Sequence, residues 1–314
     1  LSPRSTRMGA AESTPAKTER QAGPSITAKV SMDVDVQHVV QIAQAGGRAI
    51  MDIYEGEKSN WGVDMKSDGS PLTKADQAAN KIICDALFHV YPHIPIVSEE
   101  NKQIAYETRK SYQYSWCVDP LDGTKEFIKR NGQFTVNIAL LKGGEPVMGV
   151  VYTPVAGKTH YAVKGKGAYM REGDGPDLLI SCAEYGDEDA GLTIVGSASH
   201  SSKETEDFIK RYKEPKFEAL GSSLKFMLVA EGKAHVYPRL APTCEWDTAA
   251  SQIIVEEAGG VVLQAGLCSN KGVALEDWKS ALAKGKPVVY NKESNLNPFF
   301  VVFGKRKAKQ EGGQ

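Results

Sequence analysis

One short acidic segment constrains this chain more strongly than any other stretch. The hexapeptide Asp119-Pro-Leu-Asp-Gly-Thr directly follows the apolar run at residues 116–118, so a buried strand is predicted to end in two carboxylates. Pro120 fixes its own φ and has no N–H to donate, and Gly123 reaches backbone conformations that are closed to other residues. The chain can therefore turn sharply here, with Asp119 and Asp122 on the same side.

Carboxylates arranged in this way are hard ligands of the kind that Mg²⁺ takes, and a backbone carbonyl such as that of Leu121 can join them. Such sites usually leave waters and a substrate phosphate to complete the coordination shell. The segment therefore predicts phosphate chemistry on magnesium. The alternative is a polar turn in which Asp119 and Asp122 cap a following helix, which is a common use of Asp-Gly turns.

Two other phosphate-handling patterns are excluded by spacing. Phosphatases with an aspartyl nucleophile share an Asp-x-Asp pattern, whereas Asp122 stands three positions after Asp119. A phosphate-binding P-loop requires Gly-x-x-x-x-Gly-Lys-Ser/Thr, and the sequence contains no such run. The acidic segment must therefore act with partners elsewhere in the chain.

The composition is that of a soluble globular protein. With 314 residues and 41% hydrophobic content, the chain can bury one large core or two lobes that share one. A formal net charge of −1 argues against a nucleic-acid or membrane-surface partner, and no apolar run approaches the roughly 20 residues of a membrane-spanning helix. The five cysteines form no Cys-x-x-Cys pair, so neither a disulfide framework nor a zinc site is predicted, and a reducing compartment fits.

Both ends of the chain differ in composition from the rest. Residues 1–33 are rich in Ser, Thr, Pro and Ala, hold more basic than acidic side chains and show no apolar periodicity, so we expect disorder there. This composition fits a transit-peptide remnant of a chloroplast or mitochondrial protein, and it fits an unstructured cytoplasmic extension equally well. Residues 304–314 form a basic tail that we expect to be solvated and disordered.

Apolar periodicity in the first half predicts two amphipathic helices, at residues 35–54 and 74–91, with Asp35 capping the first and Thr73 or Asp76 starting the second. Strands are predicted at residues 94–98, 115–118, 134–141 and 147–153, the last two joined by a hairpin across residues 142–145. Residues 34–185 are therefore interpreted as an N-terminal α+β lobe that carries the metal site.

Strand and helix signals alternate more regularly in the second half. Strands are predicted at residues 192–195, near Phe217, and at 234–237, 261–263, 288–289 and 299–302; helices are predicted at 203–212, 222–231 and 247–258. The acidic, glycine-containing stretch at residues 186–190 is the predicted joint. Residues 186–303 are therefore interpreted as a C-terminal α/β lobe with the substrate contacts.

Further carboxylates stand at predicted element ends. Glu99 and Glu100 follow a strand, Asp247 opens a helix, and Asp76 ends a polar segment that begins at residue 68. Each has an ordinary explanation on its own: a solvated loop acid for Glu99 or Glu100, and an N-cap for Asp247. Their occurrence together with the acidic segment favours a shared metal site.

Four segments together resemble the inositol monophosphatase superfamily: DPLDGTKEF at residues 119–127, SEE at 98–100, SPLTxxD at 70–76 and WDTAA at 246–250. Within that superfamily, FIKRNGQFTVNIAL at 127–140, GSSLKF at 221–226 and VYPR at 236–239 resemble the CysQ-type 3′(2′),5′-bisphosphate nucleotidases more closely. The resemblance implies an α/β fold built as a layered αβαβα sandwich of the inositol monophosphatase and fructose-1,6-bisphosphatase type. It also implies Mg²⁺ dependence, inhibition by lithium, and hydrolysis of 3′-phosphoadenosine 5′-phosphate to AMP and phosphate, with phosphoadenylyl sulfate as a further candidate substrate.

The same resemblance assigns roles to residues of this chain. It assigns metal binding to the carboxylates of Glu99, Asp119, Asp122 and Asp247. The backbone carbonyl of Leu121 is assigned as a fifth ligand. Asp76 and Thr124 would orient or deprotonate the attacking water. The backbone amides of Gly123 and Thr124 would hold phosphate oxygens.

The nucleotide end of the substrate is assigned to a second group of residues. Lys225 and Arg239 would hold the second phosphate, Ser222 and Ser223 would donate hydrogen bonds, and His200 would lie near the base. Without the resemblance, they would be interpreted as a solvated helix face and a surface histidine. The stretch at residues 266–286 and the two tails depart from the nucleotidase pattern.

Two other functions stay open at this point. A phosphatase of the same fold that acts on inositol phosphates would not require the Lys225 and Arg239 pair. A catalytically silent nucleotide sensor would be expected to have lost Asp76, Asp122 or Thr124. In each case the expected partner is a small-molecule phosphate ester, and the protein is expected to be a monomer or a homodimer.

Overall fold

The two amphipathic helices predicted in the first half both form. The computed structural model describes residues 34–67, 69–197, 203–267 and 276–307, and in it α1 is Val36–Tyr54 and α2 is Lys74–Val90. Asp35 caps α1 by accepting from the Gln37 N–H at 2.8 Å, and Thr73 caps α2 by accepting from the Ala75 N–H at 3.2 Å. Both predicted caps are confirmed.

The other helices are short. They are α3 (Tyr106–Arg109), α4 (Thr124–Lys129), α5 (Lys203–Ile209), α6 (Leu224–Ala230), α7 (Ala249–Glu257) and α8 (Trp278–Ala283), with 3₁₀ turns at Lys58–Asn60 and Glu245–Asp247.

The largest sheet has seven strands in the order β3-β4-β5-β6-β7-β8-β9. Its strands are β3 (Ile96–Ser98), β4 (Tyr114–Asp122), β5 (Thr135–Lys142), β6 (Glu145–Thr153), β7 (Lys158–Val163), β8 (Ala168–Glu172) and β9 (Leu178–Ile180). β3 and β4 are parallel, whereas the pairs that follow are antiparallel. The carboxyl ends of β3 and β4 therefore lie side by side.

A second sheet has five strands in the order β12-β11-β13-β15-β14. Its strands are β11 (Thr193–Ser197), β12 (Lys216–Leu220), β13 (Val236–Arg239), β14 (Val261–Gln264) and β15 (Phe300–Phe303). Two small pairs complete the described strands: β1 (Asp64–Met65) with β2 (Pro71–Leu72), and β10 (Glu184–Tyr185) with β16 (Lys305–Arg306).

Helices cover both faces of the seven-stranded sheet. Two glycines mark where helices contact this sheet closely. A methyl group placed on Gly47 of α1 would lie 2.3 Å from the Tyr152 ring, and one placed on Gly149 would lie 2.3 Å from the Ala250 carbonyl oxygen of α7. Tyr152 and Gly149 are three residues apart on β6, so they face opposite sides of the sheet. The absence of a side chain at Gly47 and Gly149 allows α1 and α7 to pack close to it.

The five-stranded sheet is also covered on both faces. Val195, Tyr237 and Phe300 belong to the core that includes α6 and α7, whereas their strand neighbours Ile194 and Val236 pack with Phe208 of α5 and Trp278 of α8. The layers are therefore helices α1 and α2, the large sheet, helices α6 and α7, the smaller sheet, and helices α5 and α8. This order is the predicted αβαβα sandwich.

The acidic segment differs from its prediction in one respect. The strand does not end before Asp119 but continues as β4 to Asp122, with irregular pairing in which Asp119 lies opposite Asn137 and Asp122 opposite Thr135. An extra residue in one strand makes a bulge, and a bulge also tolerates a proline that cannot donate to the ladder. A bulge within the strand, rather than a turn after it, therefore sets the directions of the two aspartate side chains.

Other predictions need smaller corrections. The strand predicted at residues 288–289 is wrong: pairing there is limited to an isolated bridge between Leu263 and Pro287. The prediction of a disordered tail is wrong for residues 304–307, because Lys305 pairs with Glu184 and Lys307 with Asp189 in ion pairs beside β16. Strands β7, β8 and β9 were not predicted.

The described residues from Asp35 onward form one compact unit, and the division into lobes at residue 186 stays a prediction. Within the described ranges, no helix is both long and apolar enough to cross a membrane. The predicted N-terminal extension lies outside the described residues, as do residues 268–275 of the 266–286 stretch and residues 308–314.

Candidate active site

Glu99 and Asp119 meet because two parallel strands end together. Ser98, the last residue of β3, lies opposite Val118 of β4, and the Glu99 N–H donates to the Val118 carbonyl at 3.1 Å. Asp119 follows at the start of the bulge, where its Oδ1 accepts from the Leu121 N–H at 3.0 Å. The backbone thus fixes both carboxylates at one edge of the sheet.

Asp247 completes a three-carboxylate cluster. It lies in the 3₁₀ turn just before α7, not in the helix itself, and its Oδ2 accepts from the Cys244 N–H at 2.7 Å. Carboxylate oxygens of Glu99, Asp119 and Asp247 all lie within 4.8 Å of one another. Oxygen donors at this spacing suit a hard divalent cation.

The electrostatics of the cluster support the same fit. Burial, together with the nearby charges of Glu99 and Asp122, raises the pKa of Asp119 well above its ordinary value. Burial and the charge of Asp122 likewise raise the pKa of Asp247 to about 8. Three carboxylates held this close repel one another, and a bound cation would favour their ionised forms.

Asp122 lies outside that cluster and is held by a separate hydrogen-bond network. Its Oδ2 accepts from Ser222 at 2.8 Å, from Ser223 at 2.9 Å and from Asn137 at 3.4 Å. All of these bonds end on Oδ2, and no hydrogen bond between described residues ends on Oδ1. Asp122 therefore retains one oxygen for a ligand, beside the buried backbone of Leu121.

Asp76 and Thr124 are brought together as a pair. Thr124 Oγ1 donates to Asp76 Oδ1 at 3.1 Å, while Asp76 Oδ2 accepts from the Thr73 N–H at 2.7 Å and from the Thr73 hydroxyl at 2.5 Å. Burial raises the pKa of Asp76, although these hydrogen bonds act against the shift. The pair thus places a hydroxyl and a carboxylate of raised basicity next to the acidic segment.

Gly123 permits the close approach of the backbone at this point. Its φ is +97°, and an added methyl group would lie 3.0 Å from the Gln133 carbonyl oxygen and 3.3 Å from the Ser222 side chain. Gly123 is also the N-cap residue of α4, which begins at Thr124. The N–H groups in the first turn of a helix have no acceptor within the helix. Only glycine combines that backbone conformation with that clearance.

Lys66 belongs to the site although the sequence did not indicate it. Its Nζ lies 2.6 Å from Glu99 Oε1 and 2.5 Å from Glu100 Oε1. Burial alone would lower the pKa of Lys66, but Glu99 and Glu100 outweigh it and raise that pKa. A single lysine in a polar loop carries no sequence signal for such a contact.

Two buried polar residues of β5 also support the site. Thr135 lies 2.7 Å from the Ser222 hydroxyl, and Asn137 donates to the Ser223 hydroxyl at 3.0 Å. Both are buried in a strand whose other buried residues are all apolar. Two polar side chains at i and i+2 on a buried strand face the same side, and that spacing was a signal available in the sequence.

A cleft of about 160 Å³ extends from the carboxylates to the residues predicted to bind the nucleotide. Asp122, Gly123 and Asp247 line one part of it, and Lys225 and Arg239 line another. The aromatic side chains of Phe226, Tyr237 and Phe300 line it as well. The cleft therefore joins an acidic region to a basic one.

The two predicted cations differ in their surroundings. Lys225 is buried rather than on a solvated helix face: its Nζ donates to the carbonyls of Leu220 at 3.1 Å and Ser222 at 2.7 Å, and burial lowers its pKa to about 8. Arg239 donates from Nη2 to the Pro242 carbonyl at 2.9 Å, while its Nε is buried and has no hydrogen-bond partner among the described residues.

The other residues predicted to contact the substrate are Ser222, Ser223 and His200. Ser222 and Ser223 line the cleft, but their hydroxyls are engaged with Asp122. Ser222 also has a left-handed backbone, with a φ of +53°. His200 lies outside the described residues.

Comparisons with known proteins all indicate the same family. The sequence profile described as the inositol monophosphatase family matches residues 32–297. Among curated relatives, the 3′(2′),5′-bisphosphate nucleotidases CysQ of Shigella flexneri and of Escherichia coli K12 are 43% and 41% identical over 268 residues, which cover 85% of this chain and 98% of each relative.

Solved structures agree with these relatives. CysQ from Bacteroides thetaiotaomicron, a bacterial member of the inositol monophosphatase family, matches with a TM-score of 0.71 and 41% identity, covering 86% of this chain and 97% of that one. An IMPase from Thermotoga maritima matches with a TM-score of 0.62 and 25% identity, covering 85% and 91% of the two chains.

Proposed function

The chain belongs to the inositol monophosphatase family, and on that premise we propose that it is a metal-dependent 3′(2′),5′-bisphosphate nucleotidase. Its substrate is adenosine 3′,5′-bisphosphate, and its products are AMP and phosphate. Relatives that carry this activity in their names share 41–43% identity with almost their whole length represented here. Phosphoadenylyl sulfate, which has the same 3′-phosphate, is the second substrate that the proposal includes.

The metal of this proposal is Mg²⁺. Glu99, Asp119 and Asp247 would hold it with their carboxylates, and Asp122 Oδ1 with the Leu121 carbonyl would supply further oxygen ligands. Mg²⁺ bound here would lower the pKa of a coordinated water and neutralise charge on the phosphate oxygens. The fit rests on the chemistry of the donor set, since every side-chain ligand is a carboxylate.

Asp76 and Thr124 would act on the attacking water. The Thr124 hydroxyl donates to Asp76, so its oxygen lone pairs are free to accept a hydrogen bond from water. Asp76, whose pKa burial raises, would take up the proton as the water attacks phosphorus and the bond between phosphorus and the ribose 3′-oxygen breaks. The departing 3′-oxygen would take a proton from a solvent water to become the hydroxyl of AMP. The backbone amides of Gly123 and Thr124 would hold the phosphate during this step.

One observation carries the nucleotide assignment: Arg239 lines the same cleft as Asp122 and Asp247, and its buried Nε–H has no hydrogen-bond partner among the described residues. A buried donor without a partner is costly, and a ligand phosphate would satisfy it. Lys225 would add positive charge behind the Ser222 carbonyl rather than a direct contact. A monophosphate substrate would leave this end of the cleft unused.

The two other functions are less well supported. An inositol phosphatase does not require the Arg239 end, and curated relatives with 41–43% identity are named 3′(2′),5′-bisphosphate nucleotidases. A silent sensor has no use for the Thr124–Asp76 pair or the carboxylate cluster. The relatives are bacterial and give no support to the transit-peptide interpretation of residues 1–33, and the compartment and the monomer or homodimer state stay predictions.

Phosphate release over a substrate panel tests the proposal. We expect the highest kcat/KM for adenosine 3′,5′-bisphosphate, a much lower value for inositol 1-phosphate, and loss of both after Mg²⁺ is removed with a chelator. Restored activity on adding Mg²⁺ back is the matched control. A higher kcat/KM for inositol 1-phosphate would instead support the inositol phosphatase function. Binding of the bisphosphate without phosphate release would support the nucleotide sensor.

A further inference from the structure

The substrate cleft is lined by one basic residue that has no assigned role. Among the described residues of its wall, the basic side chains are those of Lys125, Lys225 and Arg239. Lys225 comes from α6 and Arg239 from β13, whereas Lys125 is the second residue of α4 and follows Asp122 by three positions. Lys125 therefore brings a positive charge to the cleft from a separate part of the chain.

The ammonium group of Lys125 is accessible and unengaged. The side chain is exposed, and it makes no hydrogen bond or ion pair within the part of the chain that the structure describes. Its neighbour Glu126 also lines the cleft, but side chains one position apart on a helix do not face each other. Because Cα–Cβ bonds in a helix tilt toward its N-terminus, Lys125 projects toward the start of α4. Its three N–H donors are thus available to a ligand in the cleft.

Most other polar side chains near the basic end of the cleft are already engaged. Lys225 Nζ donates to two backbone carbonyls, and the hydroxyls of Ser222 and Ser223 donate to Asp122. Arg239 donates from Nη2 to one backbone carbonyl and keeps further N–H donors. A phosphate monoester has three strong acceptor oxygens and a charge of about −1.5 to −2 at neutral pH. One guanidinium group therefore leaves part of its charge and of its acceptors unmatched.

The turn at residues 220–222 connects the two sides of the cleft wall. A methyl group added to Gly221 would lie 2.5 Å from Glu126 Cγ, so α4 packs directly against this turn. Lys225 donates to carbonyls of the same turn. Burial lowers the pKa of Lys225 to about 8, and the nearby positive charge of Arg239 adds to this effect. The start of α4, the turn, Lys225 and Arg239 therefore follow one another around the cleft.

We propose that Lys125 is a substrate-binding residue that holds, together with Arg239, the phosphate that is not hydrolysed. This assignment rests on the proposed nucleotidase function, in which that group is the 5′-phosphate of adenosine 3′,5′-bisphosphate. The backbone amides of Gly123 and Thr124 are assigned to the reacting phosphate, so Lys125 acts in recognition and not in the chemical step. A compact ammonium on a flexible stem can follow a phosphate that the planar guanidinium fixes from another side.

Two adenosine phosphates distinguish the two phosphate positions. Adenosine 3′,5′-bisphosphate and adenosine 3′-monophosphate share the reacting phosphate, the ribose and the base, and they differ only in the 5′-phosphate. We expect Lys125→Met to raise KM for the bisphosphate about tenfold, the scale of one charge-assisted hydrogen bond. Its kcat should change little, because a contact to a non-reacting group is equally strong in the ground state and the transition state. Neither constant should change appreciably for the monophosphate.

Two further lysine variants serve as controls. Lys129→Met removes the same charge from an exposed position on α4, and Lys129 is not among the described residues that line the cleft. It should therefore leave KM for both nucleotides unchanged. Lys125→Arg keeps the positive charge and should retain most of the affinity for the bisphosphate. The effect of Lys125→Met should also decrease as salt is added, since an exposed charge is screened.

A binding titration separates this assignment from the nucleotidase activity. Asp76→Asn removes the proposed base, so the affinity of both nucleotides can be measured by calorimetry with Mg²⁺ and without turnover. Adding Lys125→Met to this variant should weaken bisphosphate binding about tenfold and leave monophosphate binding nearly unchanged. If the wild-type protein releases no phosphate but this difference is found, Lys125 keeps its role and the nucleotidase function fails.

Three outcomes would overturn the assignment of Lys125. Unchanged KM and Kd for the bisphosphate in Lys125→Met would make Lys125 a solvated surface residue. Equal losses for both nucleotides would place it on the reacting phosphate or in support of the fold. Equal losses in Lys125→Met and Lys129→Met would mean that only the overall charge of α4 matters. If Asp76→Asn binds neither nucleotide, both this assignment and the nucleotidase function fail.

Discussion

Thr124 and Asp76 are 48 residues apart in the sequence, yet Thr124 Oγ1 donates to Asp76 Oδ1 at 3.1 Å. Asp76 is in the first turn of α2 and Thr124 is the first residue of α4, so one hydrogen bond joins the starts of two helices. The second oxygen of Asp76 is held by Thr73. Thr124 therefore has a fixed side-chain orientation next to the carboxylate cluster.

Thr124→Ala should lower kcat by about 10²-fold or more while KM changes little, because a group that orients the nucleophile acts mainly in the transition state. Steady-state phosphate release with adenosine 3′,5′-bisphosphate measures both constants. Thr124→Ser keeps the hydroxyl and should retain most of the turnover. A change limited to KM would instead assign Thr124 to substrate binding.

Gly123→Ala should destabilise the fold by roughly 1–3 kcal/mol and reduce turnover, because it combines a left-handed φ with a contact of 3.0 Å to the Gln133 carbonyl. Gly143→Ala is the matched control: its φ is +56°, but an added methyl group there would have no atom within 4 Å. Urea unfolding of both variants measures the difference. Equal free-energy losses would mean that backbone conformation alone, without the close contact, explains the need for glycine at residue 123.

The metal-free protein should become less stable as pH rises from about 4 to 8. Burial and Asp122 raise the folded-state pKa of Asp247 to about 8, whereas the unfolded value is about 3.9. Between these values the folded state binds more protons than the unfolded state, so the free energy of unfolding falls with rising pH. Below the unfolded pKa this penalty disappears.

Thermal unfolding after chelator treatment measures this effect. We expect Tm to be a few °C lower at pH 8 than at pH 5, and Mg²⁺ to restore it at pH 8 by binding the ionised cluster. Asp247→Asn should reduce the pH dependence without abolishing it, since it removes one titrating carboxylate while Asp119 and Asp76, whose pKa values are also raised, remain. A Tm that rises from pH 5 to pH 8 without metal would contradict the prediction.

Local sequence rules account for the parts of this fold that depend on near neighbours. Caps and periodicity located α1 and α2, and the hairpin joining β5 to β6 turns between Lys142 and Glu145 as predicted. The carboxylates were identified because each stands at the end of a predicted element, and the parallel β3–β4 pair brings Glu99 and Asp119 together. Element order thus predicted most of the acidic site.

Long-range contacts explain what local rules missed. Lys66 reaches Glu99 from a loop 33 residues earlier, and nothing near it in the sequence marks that contact. Without the resemblance, Lys225 would be interpreted as part of a solvated face because lysines are usually exposed. Instead its Nζ donates hydrogen bonds to the backbone carbonyls of Leu220 and Ser222, which permits its burial. The acidic stretch at residues 186–190 and the basic tail were interpreted separately, although Asp189 and Lys307 form an ion pair.

Arg239→Ala should lower kcat/KM for adenosine 3′,5′-bisphosphate by a factor that corresponds to a loss of a few kcal/mol in transition-state stabilisation. This is the scale of losing a charge-assisted contact in a partly desolvated site. The reason is that Arg239 lines the cleft and that its buried Nε has no hydrogen-bond partner among the described residues. The same variant should barely change kcat/KM for inositol 1-phosphate, because a monophosphate does not extend to this end. The ratio of the two values isolates the contribution to selectivity.

Arg211→Ala is the matched control for that measurement. Arg211 is an exposed arginine stacked on Phe208 and Trp278, away from the residues that line the cleft, so its loss should leave the selectivity ratio unchanged. Metal dependence should survive in both variants, since neither residue contacts the carboxylate cluster. If Arg239→Ala lowers kcat/KM equally for both substrates, Arg239 supports the fold or the metal site rather than the second phosphate. Selectivity for a nucleotide bisphosphate would then have to come from another part of the cleft.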